Sequence, residues 1–206
     1  MSRVSSALRR TQSERRTATR KTLLEATVTV LLDSGYDGCS LAKVAKQAGL
    51  TTGSVQHHFN TKSDLMLAVI RERIFAVSDM RGVAIDIDLA VAERCKKIVE
   101  LQWKYYGDPK YLAIWTIILG ARSDSEFTSR ISDWQKNAIA QHEQGIKTVF
   151  SDLRLKPSQI KSLQYFINAQ LRGLAMLQVI DSSPLLVKKQ LKLLAGMLEN
   201  HLLKSE

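Results

Sequence analysis

SLAKVAKQAGLTTGSVQHHFN, residues 40–60, is the stretch on which the fold turns. Ser40 is a hydroxyl residue placed to cap a helix, since its oxygen can accept from a free backbone N–H in the first turn. Leu41, Val44, Ala45 and Ala48 then recur at helical spacing and form one inward face. Gly49 stops that helix after about two turns, because glycine takes the left-handed conformation at little cost. Thr51 supplies the next cap, and a second short helix runs to Phe59 with Val55 and Phe59 as its inward anchors. Helices this short do not hold themselves without packing on neighbours. Two of them joined by a tight glycine turn suit a helix-turn-helix, in which the first braces a DNA backbone and the second enters the major groove.

The outward residues of the second helix fit that task. Thr51, Thr52 and Ser54 place hydroxyls near a helix N-terminus, where free N–H groups and the helix dipole attract phosphate. Gly53 lets the backbone come close to DNA. Gln56 is long enough to pair with an adenine edge. His57 and His58 are polar rings able to hydrogen-bond phosphate. Lys62, in the first turn of the following helix, opposes that helix's dipole, a local cost that an adjacent phosphate offsets. Plainer roles compete: Ser40, Thr51 and Thr61 as caps alone, Gly49 as a turn residue. His57 and His58 make a poor metal pair, because adjacent residues point to different sides of a helix and no third ligand lies near.

Upstream, Leu23, Leu24, Ala26, Val28, Val30 and Leu31 form a broad apolar face, and that helix should stop at Gly35. Before it, residues 1–14 read as a basic, disordered arm. Residues 1–21 set Arg3, Arg9, Arg10, Arg15, Arg16, Arg20 and Lys21 against one acid, Glu14. Such an arm binds polyanions through counterion release. A solvated tail, a contact with acidic lipid headgroups and a transit peptide share the composition. Downstream, Thr61 to Asp64 spells a capping box for a helix from about Asn60 to Met80. Further helices are expected from Asp88 to Gly107, from Asp108-Pro109, from a box at Ser123–Glu126 toward Phe150, from Pro157 to Ile180, and from Pro184 to Leu203. The fold class is all-α with about nine helices, a three-helix N-terminal domain followed by a larger helical body.

Composition agrees. The chain has 206 residues, 45% hydrophobic and 24% charged, with three prolines and ten glycines, which favours long helices over many short strands. Its formal net charge of +10 points toward anionic partners. The longest apolar stretch, Tyr111 to Leu119, is too short to span a bilayer, and no apolar run follows the N-terminal arginines as a secretory signal requires. Cys39 and Cys95 read as buried thiols in a reducing cytosol. There is no glycine-rich phosphate loop, no nucleophile–base pair and no metal cluster, so neither an enzyme nor a cofactor or metal is expected.

Leu23-Leu24-Glu25-Ala26, Gly35-Tyr36, Ser40-Leu41, Val44-Ala45, Ala48-Gly49-Leu50-Thr51, Gly53-Ser54-Val55, His58-Phe59 and Thr61-Lys62-Ser63-Asp64-Leu65 fall in the order and spacing of the TetR family of bacterial transcriptional regulators. Residues from about 20 to 67 resemble that family. The resemblance implies that Thr52, Gly53, Ser54, Gln56 and His57 sit in the groove or on its walls. It implies that Ser40 and Lys62 grip phosphates, with Arg20 or Lys21 near the start of the first helix. Gln56 stands where the family mostly has tyrosine, and His57 where another aromatic is common, so the operator is not transferable from relatives. Thr27 replaces a common alanine. The expected domains are an arm over 1–14, a helix-turn-helix domain over 15–67, and a ligand-binding and dimerisation domain over 68–206.

In that body the last two helices, about 157–181 and 184–203, are apolar on more than one side and need cover from two directions. Either a central position or a chain partner provides it. The resemblance implies a homodimer, hence a palindromic operator on double-stranded DNA. The middle helices carry Trp103, Tyr105, Tyr106, Tyr111, Trp115, Phe127 and Trp134, which serve as core or as pocket walls. The resemblance implies a pocket for a small-molecule effector, with Trp103, Tyr106, Trp115, Phe127 and Trp134 as candidates. Aromatics suit an apolar or a cationic ligand. His142 and Glu143 read as a solvated face. The expected function is a cytoplasmic, bacterial, nucleoid-associated repressor released by a ligand. A non-specific nucleoid-type protein and an activator are the competing readings.

Overall fold

The computed structural model describes residues 11–79, 85–181 and 183–204. Among them are nine α-helices and no strand. The chain forms two compact units divided between Val69 and Ile70, two residues beyond the expected boundary.

The first unit is built from α1 (Gln12–Gly38), α2 (Leu41–Ala48), α3 (Thr52–His58) and the opening of α4 (Lys62–Asp79). Its first helix starts earlier than expected. Residues 11–14, assigned to the arm, form its first turn: the Thr11 hydroxyl accepts from Glu14 N–H at 3.2 Å and Glu14 returns the bond to Thr11 N–H at 2.7 Å. This capping box went unread because basic composition masked it. The rest of the arm, residues 1–10, lies outside the described residues, as does Met80. At Gly35 the backbone turns to φ 68°, ψ −176°, breaking the helix where the sequence predicts. Gly49 closes α2 at φ 66°. Leu23, Leu24, Val28 and Leu31 of α1, Val44 and Ala45 of α2, Val55 of α3, Phe59, and Leu65, Met66 and Val69 of α4 are buried. α2 packs on both α1 and α3. Thr27 is fully buried and donates to the Leu23 carbonyl at 2.7 Å, so its hydroxyl is satisfied within its own helix.

The second unit holds α5 (Val91–Tyr106), α6 (Tyr111–Gly120), α7 (Ser125–Val149), α8 (Pro157–Leu177) and α9 (Pro184–Leu203). Three expected starts shift. Asp88 lies in a turn where its N–H bonds Asp86, and α5 begins after Ala90. Asp108 stabilises a turn by accepting from Lys110 N–H, and α6 begins at Tyr111. Asp124, not Ser123, caps α7 by accepting from Phe127 N–H at 2.9 Å. Carboxylates serve both turns and caps, so a proximal aspartate alone does not fix the register. Pro157 and Pro184 open α8 and α9 as read.

α8 is central to this unit, packing against α5, α6, α7 and α9. Arg94 of α5 ties down the turn after α7, donating to the Val149 carbonyl at 2.8 Å and to both Asp152 carboxylate oxygens at 2.5 and 2.7 Å. That guanidinium holds the Asp152 carboxyl below its ordinary range. Cys39 and Cys95 are buried free thiols, and burial pushes Cys95 up to about 12. No helix among the described residues is long and apolar enough to cross a membrane.

Candidate functional site

The hydroxyl caps come first, because they fix the direction of each helix. Ser40 Oγ accepts from Lys43 N–H at 3.2 Å and Thr51 Oγ1 from Ser54 N–H at 3.2 Å. Thr61 and Asp64 exchange backbone bonds at 3.2 and 3.0 Å. With α3 so held, Val55 and Phe59 are buried beneath it. Thr51, Thr52, Gly53, Gln56 and His57 are exposed, and Ser54 is half-buried. The predicted reading residues therefore do share one outer face of α3. Residues 38–63 contain no aspartate or glutamate, while Lys43, Lys46 and Lys62 fall among them. The potential over this face is accordingly favourable to phosphate.

Two cations are more committed than the sequence shows. Lys62 is half-buried, donates to the Tyr36 carbonyl at 2.6 Å and lies 4.1 Å from the centre of the Tyr36 ring. An ammonium has three protons, so this bond positions the group and leaves others for an anion. Arg20 is half-buried, its guanidinium 4.9 Å from the centre of the Phe59 ring, and its Nη1 is a buried donor without an acceptor. Lys21 is exposed. His58 turns partly inward against Phe59. Burial, then His57, Arg16 and Arg20, push its imidazole below the ordinary histidine value. Among the described residues no three His, Cys, Asp or Glu side chains come together to hold a metal.

The second unit contains a cavity of about 220 Å³. Tyr105 and Tyr106 reach it from α5, Tyr111, Ile114, Trp115 and Ile118 from α6, Ile131, Gln135, Ile139 and His142 from α7, and Asn168 and Arg172 from α8. The rings of Tyr105, Tyr106 and Tyr111 meet edge to face, with centres 5.0–5.2 Å apart. The Tyr106 hydroxyl donates to Asn168 Oδ1 at 2.9 Å. Gln164 Nε2 donates to the same oxygen at 2.8 Å and lies 3.1 Å from His142 Nδ1.

Of the five predicted pocket residues, Tyr106 and Trp115 line this cavity and three do not. Phe127 is a buried core residue. Trp103 packs over Gly107, where an added Cβ would approach its ring to 2.6 Å. Trp134 sits half-buried elsewhere on α7. Aromatic spacing does not separate core from wall, because both are met by the same inward stripe. His142, read as a solvated residue, is instead half-buried in the wall. Sequence reasoning missed Gln164, Asn168 and Arg172. Their signal was a polar stripe at i, i+4 and i+8 on α8, running beside Leu163, Ile167 and Leu171.

Residues 23–69 match the family model of the bacterial regulatory proteins, tetR family. The transcriptional regulator CymR of Pseudomonas putida is 45% identical over 60 residues, 29% of this chain and 30% of that protein. The first curated relatives are matched over 28–60% of their own lengths. A transcriptional regulator from Rhodococcus superposes with TM-score 0.70 at 18% identity, covering 88% of this chain and 96% of that one. The regulator FadR from Bacillus subtilis, solved with stearoyl-CoA, superposes with TM-score 0.65 at 20% identity over the same shares. At these identities the solved structures establish likeness of fold.

Proposed function

We propose that this chain, whose residues 23–69 match the family model of the bacterial regulatory proteins, tetR family, represses transcription by binding a palindromic operator as a homodimer and leaves it when a small molecule fills the cavity. The observation that carries the reading is the exposed face of α3, with Thr52, Gly53, Gln56 and His57 outward over a buried Val55 and Phe59. Polar side chains there read base edges and phosphates while the anchors keep the helix rigid. Ser40, Thr51 and Ser54, with Arg20, Lys21 and Lys62, supply backbone contacts.

A dimer is supported by α8 and α9. Leu177 of α8 and Leu185, Leu193 and Met197 of α9 are large apolar side chains left exposed in the single chain. Leu177, Leu193 and Met197 border one groove between the two helices, and an exposed apolar surface of this kind favours a protein partner. A second copy of the same two helices covers it with two-fold symmetry. Two α3 helices then face two half-sites, which is why the operator is a palindrome. A dimer on a promoter excludes polymerase sterically. Release needs a ligand that prefers the unbound form by ~1–3 kcal/mol.

The test is binding of the full chain to its own upstream DNA, measured by fluorescence anisotropy at moderate salt against scrambled competitor. Preference for one palindrome is the expected result. Equal binding to scrambled DNA favours the second reading, a non-specific nucleoid-type protein, which the +10 charge also supports. Light scattering on wild type and Leu193→Glu tests the dimer, with dissociation of the variant expected.

A further inference from the structure

The cavity's chemistry constrains the charge of what enters it. Among the described lining residues Arg172 is the only lysine or arginine, and no aspartate or glutamate lines the wall. No carboxylate of the described residues forms an ion pair with Arg172. Its neighbours are phenols. Burial pushes Tyr106 up and Tyr111 up to about 12, even though Arg172 pulls both the other way. At neutral pH these hydroxyls are therefore uncharged and offer dipoles without a counter-charge. Burial opposes the charge of Arg172, and its tyrosine neighbours nonetheless hold it above the ordinary arginine range, so it is a cation here. The cavity thus holds the Arg172 cation beside neutral phenols, with no carboxylate in its described wall.

The unmet groups of its lining residues are donors, while Gln164 Oε1, behind Asn168, is an unmet acceptor. Arg172 Nε is a buried donor with no acceptor. Trp115 Nε1 is buried as well and approaches the Tyr111 hydroxyl without forming a well-made hydrogen bond. The guanidinium carbon lies 6.0 Å from the Trp115 ring centre, so both donors serve one region. A cationic headgroup brings no lone pair to such donors and repels Arg172. A carboxylate brings about four acceptor sites and a full negative charge. Of the rest of the wall, Ile114, Ile118, Ile131 and Ile139 are aliphatic and Tyr105, Gln135, His142 and Asn168 are polar, and the volume of about 220 Å³ is below the usual range for ligand pockets, which selects a compact occupant.

We infer that this cavity binds a compact monocarboxylate with an apolar body, its carboxylate on Arg172 and the Trp115 indole N–H, its body against Ile114, Ile118, Ile131 and Ile139. This rests on the reading of the cavity as the effector site, and it replaces the cationic ligand that aromatic content alone permits. A compact acid enters where a longer or cationic molecule does not.

Isothermal titration of the full chain tests it with phenylacetate and octanoate, their primary amides, and choline. At least one acid is expected to bind ~10-fold or more tightly than its amide, the range of a charge-assisted bond over a neutral one. R172Q, checked for folding by circular dichroism and melting, is expected to abolish that preference, and R172K to retain part of it. Acids that bind no better than their amides, choline binding more tightly than either acid, or an R172Q variant that keeps the preference overturns the inference. No binding of either acid at millimolar concentration overturns it too. Where R172Q fails to fold, the wild-type comparison of acid with amide decides. The operator assay separates this from the regulator reading. An acid that binds through Arg172 and leaves DNA binding unchanged upholds the carboxylate site and removes the inducer role. Release by an amide or choline alone does the reverse.

Discussion

α3 and α8 each carry a short row of polar side chains, and the two rows are used in opposite ways. On α3 the polar residues Thr52, Gln56 and His57 are exposed and the apolar ones buried. On α8 the polar residues Gln164 and Asn168 are buried alongside Leu163, Ile167 and Leu171. An exposed polar group stays bonded to water in the folded and unfolded chain, so it is nearly neutral for stability and available to a partner. A buried one loses water and must be satisfied by the fold. Changing the first kind should cost function alone. Changing the second should cost stability before function is even measured.

The largest test removes what lies beneath α3. Phe59→Ala deletes a buried ring that also carries the Arg20 guanidinium on its face. It should cost ~3–5 kcal/mol by thermal unfolding and abolish operator binding with it. A variant that melts within about 1 kcal/mol of wild type would mean that α3 is not anchored as described.

The next test is on α8. Asn168→Leu keeps the branched shape at a larger volume and removes the oxygen that accepts from both Tyr106 and Gln164. Two buried donors are then unpaired, each costing ~1–3 kcal/mol, and urea unfolding should show a loss of roughly 2–4 kcal/mol. A loss below about 1 kcal/mol would show that the network is readily replaced by water.

The same contrast explains what could be read from the chain. The first unit is coded locally: Ser40, Gly49, Thr51 and Thr61 each act within four residues, so caps, turn and anchors are visible in one pass. The outer face of α3 followed from that register. The cavity is not local. Tyr106 meets Asn168 across 62 positions, and Arg94 meets Asp152 across 58. No periodicity announces such pairs. Aromatic content pointed to the helices that line the cavity, while Trp103, Phe127 and Trp134 lie off its wall, because packing over a glycine, filling a core and lining a cavity all select large rings. Starts of α5, α6 and α7 slipped by one to three residues for the related reason that aspartate serves turns and caps alike.

A smaller effect returns to α3. Gln56→Ala should leave the melting temperature unchanged within what ~0.5 kcal/mol produces, because the side chain is exposed. It should cost ~1–3 kcal/mol of discrimination at one base pair of each half-site, read by anisotropy on a set of single-substituted operators. A loss spread evenly over all operators would make Gln56 a backbone contact and leave base reading to His57 or Thr52.

The smallest effect is the most discriminating, because its two readouts should move in opposite directions. Gly49 and Gly53 lie four residues apart on either side of Thr51, and only Gly49 has a left-handed backbone, φ 66°. Alanine there is strained and should destabilise by ~1–2 kcal/mol. At Gly53 the nearest atom to an added Cβ is Thr51 Oγ1 at 3.9 Å, an ordinary contact. Alanine there fits the helix and should stabilise by ~0.5–1 kcal/mol. The fold therefore gives no reason for glycine at position 53. If its purpose is close approach of the backbone to DNA, Gly53→Ala should melt slightly higher and bind operator more weakly. A variant that is more stable and binds equally well would remove Gly53 from the interface and leave the recognition face to side chains alone.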